Sequence, residues 1–105
     1  MKQTVLITGA ARRIGRRIAE TLAHAGWDVV VHACRAAEAA EALCAALVAD
    51  AGVRAWRVAG DLAAEDGPSA VFEAALAQAG RIDALVNNAA LFARQPLACA
   101  TAADF

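Results

Sequence analysis

The sequence predicts an α/β fold: a doubly wound parallel sheet, here in part, with elements in the order β-α-β-α-β-α-β. Two observations predict it. Short apolar runs rich in β-branched residues alternate with longer segments whose apolar residues recur at helical spacing. Each predicted helix is also followed by a glycine, at Gly26, Gly52 and Gly80. Strands that alternate with helices of this length form a parallel sheet with right-handed crossovers.

The strands are predicted at 4–8, 27–32, 54–58 and 82–86, and the helices at 14–25, 36–51 and 69–79. In the second strand Val29, Val30 and Val31 are consecutive, as in a strand that is covered on both faces. Pro68 is suited to the first turn of the third helix. Residues 91–105 are predicted to be a loop, with the first turn of another helix near the end of this segment.

Composition excludes several classes of protein. The chain has 105 residues, a length that fits one domain or part of one. Its net charge is −1 and its pI about 6.1, so no overall positive field attracts nucleic acid. There is no apolar run of membrane-spanning length, and the N-terminus lacks the pattern of a signal peptide. Cys34, Cys44 and Cys99 are odd in number and unpatterned, so we expect reduced thiols in a cytoplasmic protein. No cysteine pair has metal-ligand spacing, so we expect no metal site.

A glycine-containing turn joins the first strand to the first helix. It runs Thr8-Gly9-Ala10-Ala11-Arg12-Arg13-Ile14-Gly15. At this place in a doubly wound sheet, backbone N–H groups and the helix N-terminus bind phosphate. Gly9 permits a tight turn and Gly15 a close approach of helix to sheet. Because no Gly-Lys-Ser/Thr follows, the turn is not a P-loop for nucleoside triphosphates, and it predicts the phosphate-binding turn of a Rossmann-type, doubly wound sheet.

Three motifs carry a family resemblance: "TGAARRIG", "GDL" (Gly60 to Leu62) and "VNNAA" (Val86 to Ala90). Together they resemble the N-terminal half of a short-chain dehydrogenase/reductase, over nearly the whole chain. The family pattern has glycine where this chain has Arg13 and Ala90. With His32 and Arg35 after the second strand, the arginine variant is similar to the pteridine-reductase branch.

The resemblance implies roles for particular residues. Arg13 would contact both the cofactor phosphates and a pterin substrate, and Phe92 would stack the pterin against the nicotinamide. The cofactor contacts that we expect come from Gly9, Arg12, Arg13, Ile14, His32, Arg35, Asp61, Leu62, Asn88 and Ala89.

Plainer alternatives stay open for several of these residues. Asp61 would equally cap a turn, and Asn87 and Asn88 would equally form one. His32 would equally be a strand-end histidine with local hydrogen bonds. Phe92 would equally pack in the core or at a subunit contact. Arg35 would equally be a solvated arginine at a helix start, as Arg16 and Arg17 are expected to be.

The choice of dinucleotide follows from the end of the second strand. NAD-specific sites place an acid about 20 residues beyond the glycines, where it holds the ribose 2′-OH. Here the sequence reads His32-Ala33-Cys34-Arg35, and Asp28 lies at the other end of the strand. An arginine without an opposing acid favours a 2′-phosphate, so the predicted cofactor is NADP.

The catalytic set of the family is missing from these residues. The family uses serine, tyrosine and lysine, but this chain has no tyrosine, and its only lysine and serine are Lys2 and Ser69. We therefore expect no catalytic residue here. The chain is predicted to be the cofactor-binding half of a reductase of small molecules, a homo-oligomer at full length, whose C-terminal catalytic half is absent. The alternative is a truncated, non-catalytic dinucleotide-binding module.

Overall fold

The computed structural model describes residues 2–11, 13–35 and 37–88. Its four strands are β1 (Thr4–Ile7), β2 (Asp28–Ala33), β3 (Ala55–Ala59) and β4 (Ala84–Val86). They form one parallel sheet in the order β3-β2-β1-β4. The chain therefore moves outward from β1 to β3 and then crosses to the other side of β1.

Helices cover both faces of this sheet. α1 (Arg13–His24) and α2 (Ala37–Ala51) cover one face, and α3 (Gly67–Ala79) covers the other. Because side chains of a strand point alternately to opposite faces, the core divides into two clusters. Val5, Ile7, Val29 and Val31 pack under α1 and α2. Leu6 and Val30 pack under α3. The predicted doubly wound α/β fold is confirmed.

The two central strands carry the core. Every residue of β1 and β2 is buried, whereas Val58 is the one buried residue of β3, and β4 has none. The run from Val29 to Val31 thus belongs to a strand that is covered on both faces, as its continuous apolar pattern predicts.

Helix α3 begins two residues earlier than the sequence indicates. Gly67 is its first residue and is buried against the carbonyl group of Asp61, with which a Cβ atom at this position would collide. Pro68 lies in the first turn, as predicted. At the other end, Gly80 has φ 85° and donates its N–H to the carbonyl of Leu76 at 2.8 Å. Glycine at position 67 thus permits a close approach between the loop after β3 and the start of α3, which the periodicity of the sequence does not show.

Carboxylates tie the strands together at the amino-terminal edge of the sheet. The fully buried Asp28 accepts hydrogen bonds from the N–H of Arg54 at 2.9 Å and from its guanidinium at 3.2 Å. Asp83 accepts from the N–H of Thr4 at 2.8 Å. Asp28 therefore serves the sheet at the edge opposite the glycine turn, consistent with its predicted place at the wrong end of β2 for a ribose contact.

Candidate functional site

The carboxyl ends of all four strands lie at one edge of the sheet, because the strands are parallel. In open α/β sheets, ligands bind in the crevice outside this edge, at the point where the strand order reverses. Here the order reverses at β1, which lies between β2 and β4. The turn that leaves β1 is therefore the centre of the candidate site.

Two glycines shape this turn. Gly9 has φ 62°, a left-handed conformation that glycine adopts without steric cost. Gly15 lies in the first turn of α1, where a Cβ atom would collide with the carbonyl oxygen of Gly9. The same atom would lie 2.8 Å from Nδ2 of Asn88. Glycine at position 15 therefore lets α1 begin close enough to direct its free N–H groups at an anion in the crevice.

Arg13 has φ 56° and is the one non-glycine residue of the described chain with a positive φ. A left-handed conformation costs an ordinary side chain about 1–2 kcal/mol. The arginine thus stands in a conformation suited to glycine, at the position where the family pattern has one. Its side chain is exposed. Strain of this kind clusters at functional sites. Arg12 lies outside the described residues, so its cofactor contact stays a prediction.

The loop after β2 presents a second exposed arginine. Arg35 forms no ion pair or hydrogen bond through its side chain with any described residue. No acidic residue stands between Asp28 and Glu38. Arg16, by contrast, pairs with Glu20 at 3.2 Å on the surface of α1, which agrees with its interpretation as a solvated residue. Arg35 therefore remains available to an anionic ligand.

His32 connects two loops of the site. Its ring is buried, with Nδ1 3.0 Å from the N–H of Gly9 and Nε2 2.8 Å from the carbonyl oxygen of Gly60. These are the local hydrogen bonds of the alternative that the sequence left open. A direct contact between His32 and a cofactor stays a prediction.

After β3, Asp61 caps a turn. Its Oδ1 accepts the N–H of Ala63 at 2.9 Å, the capping role that the sequence left open. Its second carboxylate oxygen has no hydrogen-bond partner within the described ranges. Leu62 is half-buried and packs on the α3 side of the core. The expected contacts of Asp61 and Leu62 with a cofactor stay predictions.

The end of β4 is attached to the glycine turn. Nδ2 of Asn88 donates to the carbonyl of Gly9 at 3.2 Å, and Thr8 is within hydrogen-bond distance of Val86 and Asn87. Asn88 is only 7% exposed, and its Oδ1 is buried without a hydrogen-bond partner in the described chain. This connection of Thr8 to the end of β4 is not among the sequence predictions, although the place of Thr8 directly before Gly9 indicates that it belongs to the turn.

Three predicted site residues remain, namely Ile14, Ala89 and Phe92. Ile14 is the second residue of α1 and is 55% exposed, so its side chain lies outside the core, and its contact with a cofactor stays a prediction. Ala89 and Phe92 lie outside the described residues, and their roles stay predictions.

The described residues at the carboxyl edge of the sheet offer backbone N–H groups and exposed arginines to a ligand. They contain no cluster of histidine, cysteine or carboxylate groups that could hold a metal ion. Ser69, the one serine of the chain, lies exposed on α3. Among the described helices, none is long and apolar enough to cross a membrane. The geometry at the carboxyl edge therefore fits an anionic ligand held by backbone N–H groups and arginines.

Comparison with known proteins identifies the family. The model of the short chain dehydrogenase family matches residues 3–105, which is nearly the whole chain. The chain therefore belongs to the short chain dehydrogenases, as its motifs indicate.

Individual relatives are reductases. The chain is 40% identical over 89 residues to 1-cyclohexenylcarbonyl-CoA reductase of Streptomyces collinus, covering 85% of this chain and 31% of that protein. It is 37% identical over 91 residues to 3-oxoacyl-acyl-carrier-protein reductase FabG of Staphylococcus aureus, covering 87% and 37%. The chain thus spans about a third of the length of the curated relatives that it matches.

A solved structure supports the same fold. FolM alternative dihydrofolate reductase 1 of Brucella canis, complexed with NADP, superimposes with a TM-score of 0.74 at 37% identity. The match covers 82% of this chain and 34% of that one. This similarity to FolM does not confirm that the chain belongs to the pteridine-reductase branch, which therefore stays a proposal.

Proposed function

We propose that the protein is an NADP-dependent short-chain reductase and that residues 1–105 are its cofactor-binding half. One observation carries the proposal. Arg13 stands exposed in a left-handed conformation within the glycine turn, at the centre of the carboxyl edge. The exposed Arg35, with no acid beside it at the end of β2, points to a 2′-phosphate. The NADP in the FolM structure and the reductase activities named for the relatives support the choice.

The described residues fit a dinucleotide. The turn that Gly9 and Gly15 keep open would receive the pyrophosphate at the N-terminus of α1, with Arg13 as its cation. Arg35 would bind the 2′-phosphate and Asp61 the adenine amino group. The orphaned Oδ1 of Asn88 would accept a hydrogen bond from the bound ligand or its water. The nicotinamide, when bound, supplies a hydride to the substrate.

Residues 1–105 would bind the cofactor but would not carry out the acid–base step, since they contain no tyrosine. We further propose that the full-length protein is a homo-oligomer. The alternative of a non-catalytic dinucleotide-binding module is not favoured, because the relatives named above are all reductases.

The finer proposal is a flat heteroaromatic substrate of the pterin class. It rests on Arg13, which would contact both phosphate and pterin, and on Phe92, whose ring would stack on the pterin. The dihydrofolate reductase activity in the name of the FolM neighbour belongs to the same chemistry. The competing substrate class is a 3-oxoacyl thioester, suggested by the name of the relative FabG.

A reductase assay tests the proposal. The full-length protein is given NADPH or NADH with a dihydropterin or a 3-oxoacyl thioester, and consumption of the nicotinamide is followed by absorbance. We expect turnover of the dihydropterin, faster with NADPH. Phe92→Ala should reduce it about 2- to 13-fold, the equivalent of the ~0.5–1.5 kcal/mol of an aromatic pair.

Phe72→Ala is the matched control, because Phe72 is an exposed phenylalanine on α3, away from the glycine turn. It should leave turnover unchanged. Turnover of the thioester alone, or equal rates for Phe92→Ala and the unmodified protein, would show that the pterin proposal is wrong.

A further inference from the structure

His32 occupies a junction between two loops of the cofactor site. It lies one residue before the end of β2, is 3% exposed and makes three hydrogen bonds across the crevice edge. Its Nδ1 accepts the N–H of Gly9, its Nε2 contacts the carbonyl of Gly60, and its own carbonyl accepts the N–H of Ala10 at 2.9 Å. One residue thus joins the glycine turn to the loop after β3.

A single protonation state satisfies both ring contacts. Nδ1 faces a donor, the N–H of Gly9, so it must carry a lone pair. Nε2 faces an acceptor, the carbonyl of Gly60, so it must carry the hydrogen. Neutral imidazole protonated on Nε2 meets both demands, whereas the imidazolium ion would direct an N–H at the N–H of Gly9. Protonation therefore removes the hydrogen bond that holds the turn.

We propose that His32 is a positioning residue of the dinucleotide site, whose neutral ring holds the glycine turn in its binding geometry and whose protonation releases the turn. The inference rests on the proposed function, because the turn is taken to bind the cofactor phosphates. It gives His32 an indirect role, through Gly9, in place of the direct cofactor contact that the sequence predicts.

The surroundings of the ring favour its neutral form. Burial lowers the pKa of His32 below its usual value of 6.5, and the hydrogen bond to Gly60 opposes this effect only in part. Among the described residues, the charged side chains on the segments that adjoin the ring include Arg13, Arg35, Glu38 and Asp61, and none of them is among the causes that shift this pKa.

The sign of the pH effect follows. A histidine whose folded-state pKa is lowered contributes its full stabilisation above pH 6.5. The contribution is lost as the pH falls from there through the folded-state value. The turn should therefore stay intact at neutral pH and loosen as the pH falls through the folded-state pKa of His32.

The decisive experiment compares the pH dependence of NADPH binding in the full-length protein with that of His32→Asn. Asparagine places an acceptor near the position of Nδ1 but does not titrate. Each affinity is expressed relative to the value of the same protein at pH 7.5, where the His32 ring is neutral, so that the comparison concerns the pH dependence alone. As the pH falls below the folded-state pKa of His32, the unmodified protein should lose affinity for NADPH by up to about tenfold more per pH unit than His32→Asn. Protonation of the 2′-phosphate affects both proteins and cancels in this ratio.

A second measurement does not depend on the variant or on the cofactor. Nitrogen chemical shifts of the histidine ring in the free protein should show Nδ1 without hydrogen, Nε2 with it, and a pKa below 6.5. Identical pH profiles for both proteins, or a ring with hydrogen on Nδ1 at neutral pH, would overturn the inference and leave the proposed function standing. Failure of NADPH to bind at any pH would instead overturn the proposed function.

Discussion

Arg13 combines a backbone conformation suited to glycine with an exposed cation. Because its φ is 56°, a residue with a side chain at this point of the turn destabilises the fold relative to glycine. Charge and strain can be separated by substitution, because glycine removes both whereas alanine removes only the charge.

We predict that Arg13→Gly raises the free energy of unfolding by about 1 kcal/mol, since it relieves the left-handed strain. The same change should weaken NADPH binding about tenfold or more, through loss of a charge-assisted hydrogen bond. Arg13→Ala should weaken binding equally without the gain in stability. Denaturant unfolding and fluorescence titration measure the two effects. An unchanged affinity in both variants would mean that Arg13 is only a solvated helix start.

At the level of elements, the site depends on how closely α1 meets the turn after β1. Gly15 is the contact point, because a Cβ atom there has no room beside the carbonyl of Gly9. Gly52 provides a contrast at the end of α2. It has φ 70°, and a Cβ atom there would meet nothing within 4 Å.

We predict that Gly15→Ala destabilises the protein by about 1–3 kcal/mol through overpacking and also weakens NADPH binding, because the turn must shift. Gly52→Ala should cost about 1–2 kcal/mol through backbone strain alone and leave NADPH binding unchanged. Thermal unfolding and cofactor titration of both variants test this. If Gly15→Ala bound NADPH normally, the close approach would not matter for the site.

The elements themselves could be predicted from the sequence, but their contacts could not. The apolar run from Val29 to Val31 predicts a strand, and the glycines after the helices predict where each helix ends. At the start of α3, by contrast, Gly67 lies close to the carbonyl of Asp61, and no periodic pattern shows this contact. Likewise, the hydrogen bond from Asn88 to Gly9 joins residues 79 positions apart, and no local pattern shows it.

The whole molecule presents apolar surface beside its polar site. Leu85 on the outer strand β4 is 56% exposed, and Phe72 and Leu76, one turn apart on α3, are 42% and 40% exposed. The chain spans about a third of the length of its relatives. Open strand edges and exposed apolar side chains favour association with another chain segment.

We predict that residues 1–105, expressed alone, aggregate or form oligomers and show no reductase activity, while weak NADP binding persists. Light scattering, thermal unfolding and an NADPH oxidation assay measure these properties. A stable monomer with a sharp unfolding transition would contradict the structural part of this prediction, and turnover above background would contradict the catalytic part.

The central claim is that this half of the molecule recognises the 2′-phosphate of NADP. The most direct test is calorimetric titration of the full-length protein with 2′,5′-ADP and 5′-AMP, which differ in that phosphate and lack the nicotinamide. We predict that 2′,5′-ADP binds about 10- to 100-fold more tightly, the equivalent of a charge-assisted hydrogen bond, and that Arg35→Ala removes most of the difference. Arg57→Ala is the control, since Arg57 is an exposed arginine on β3 paired with Glu41. Equal affinities for the two nucleotides in the unmodified protein would contradict the account.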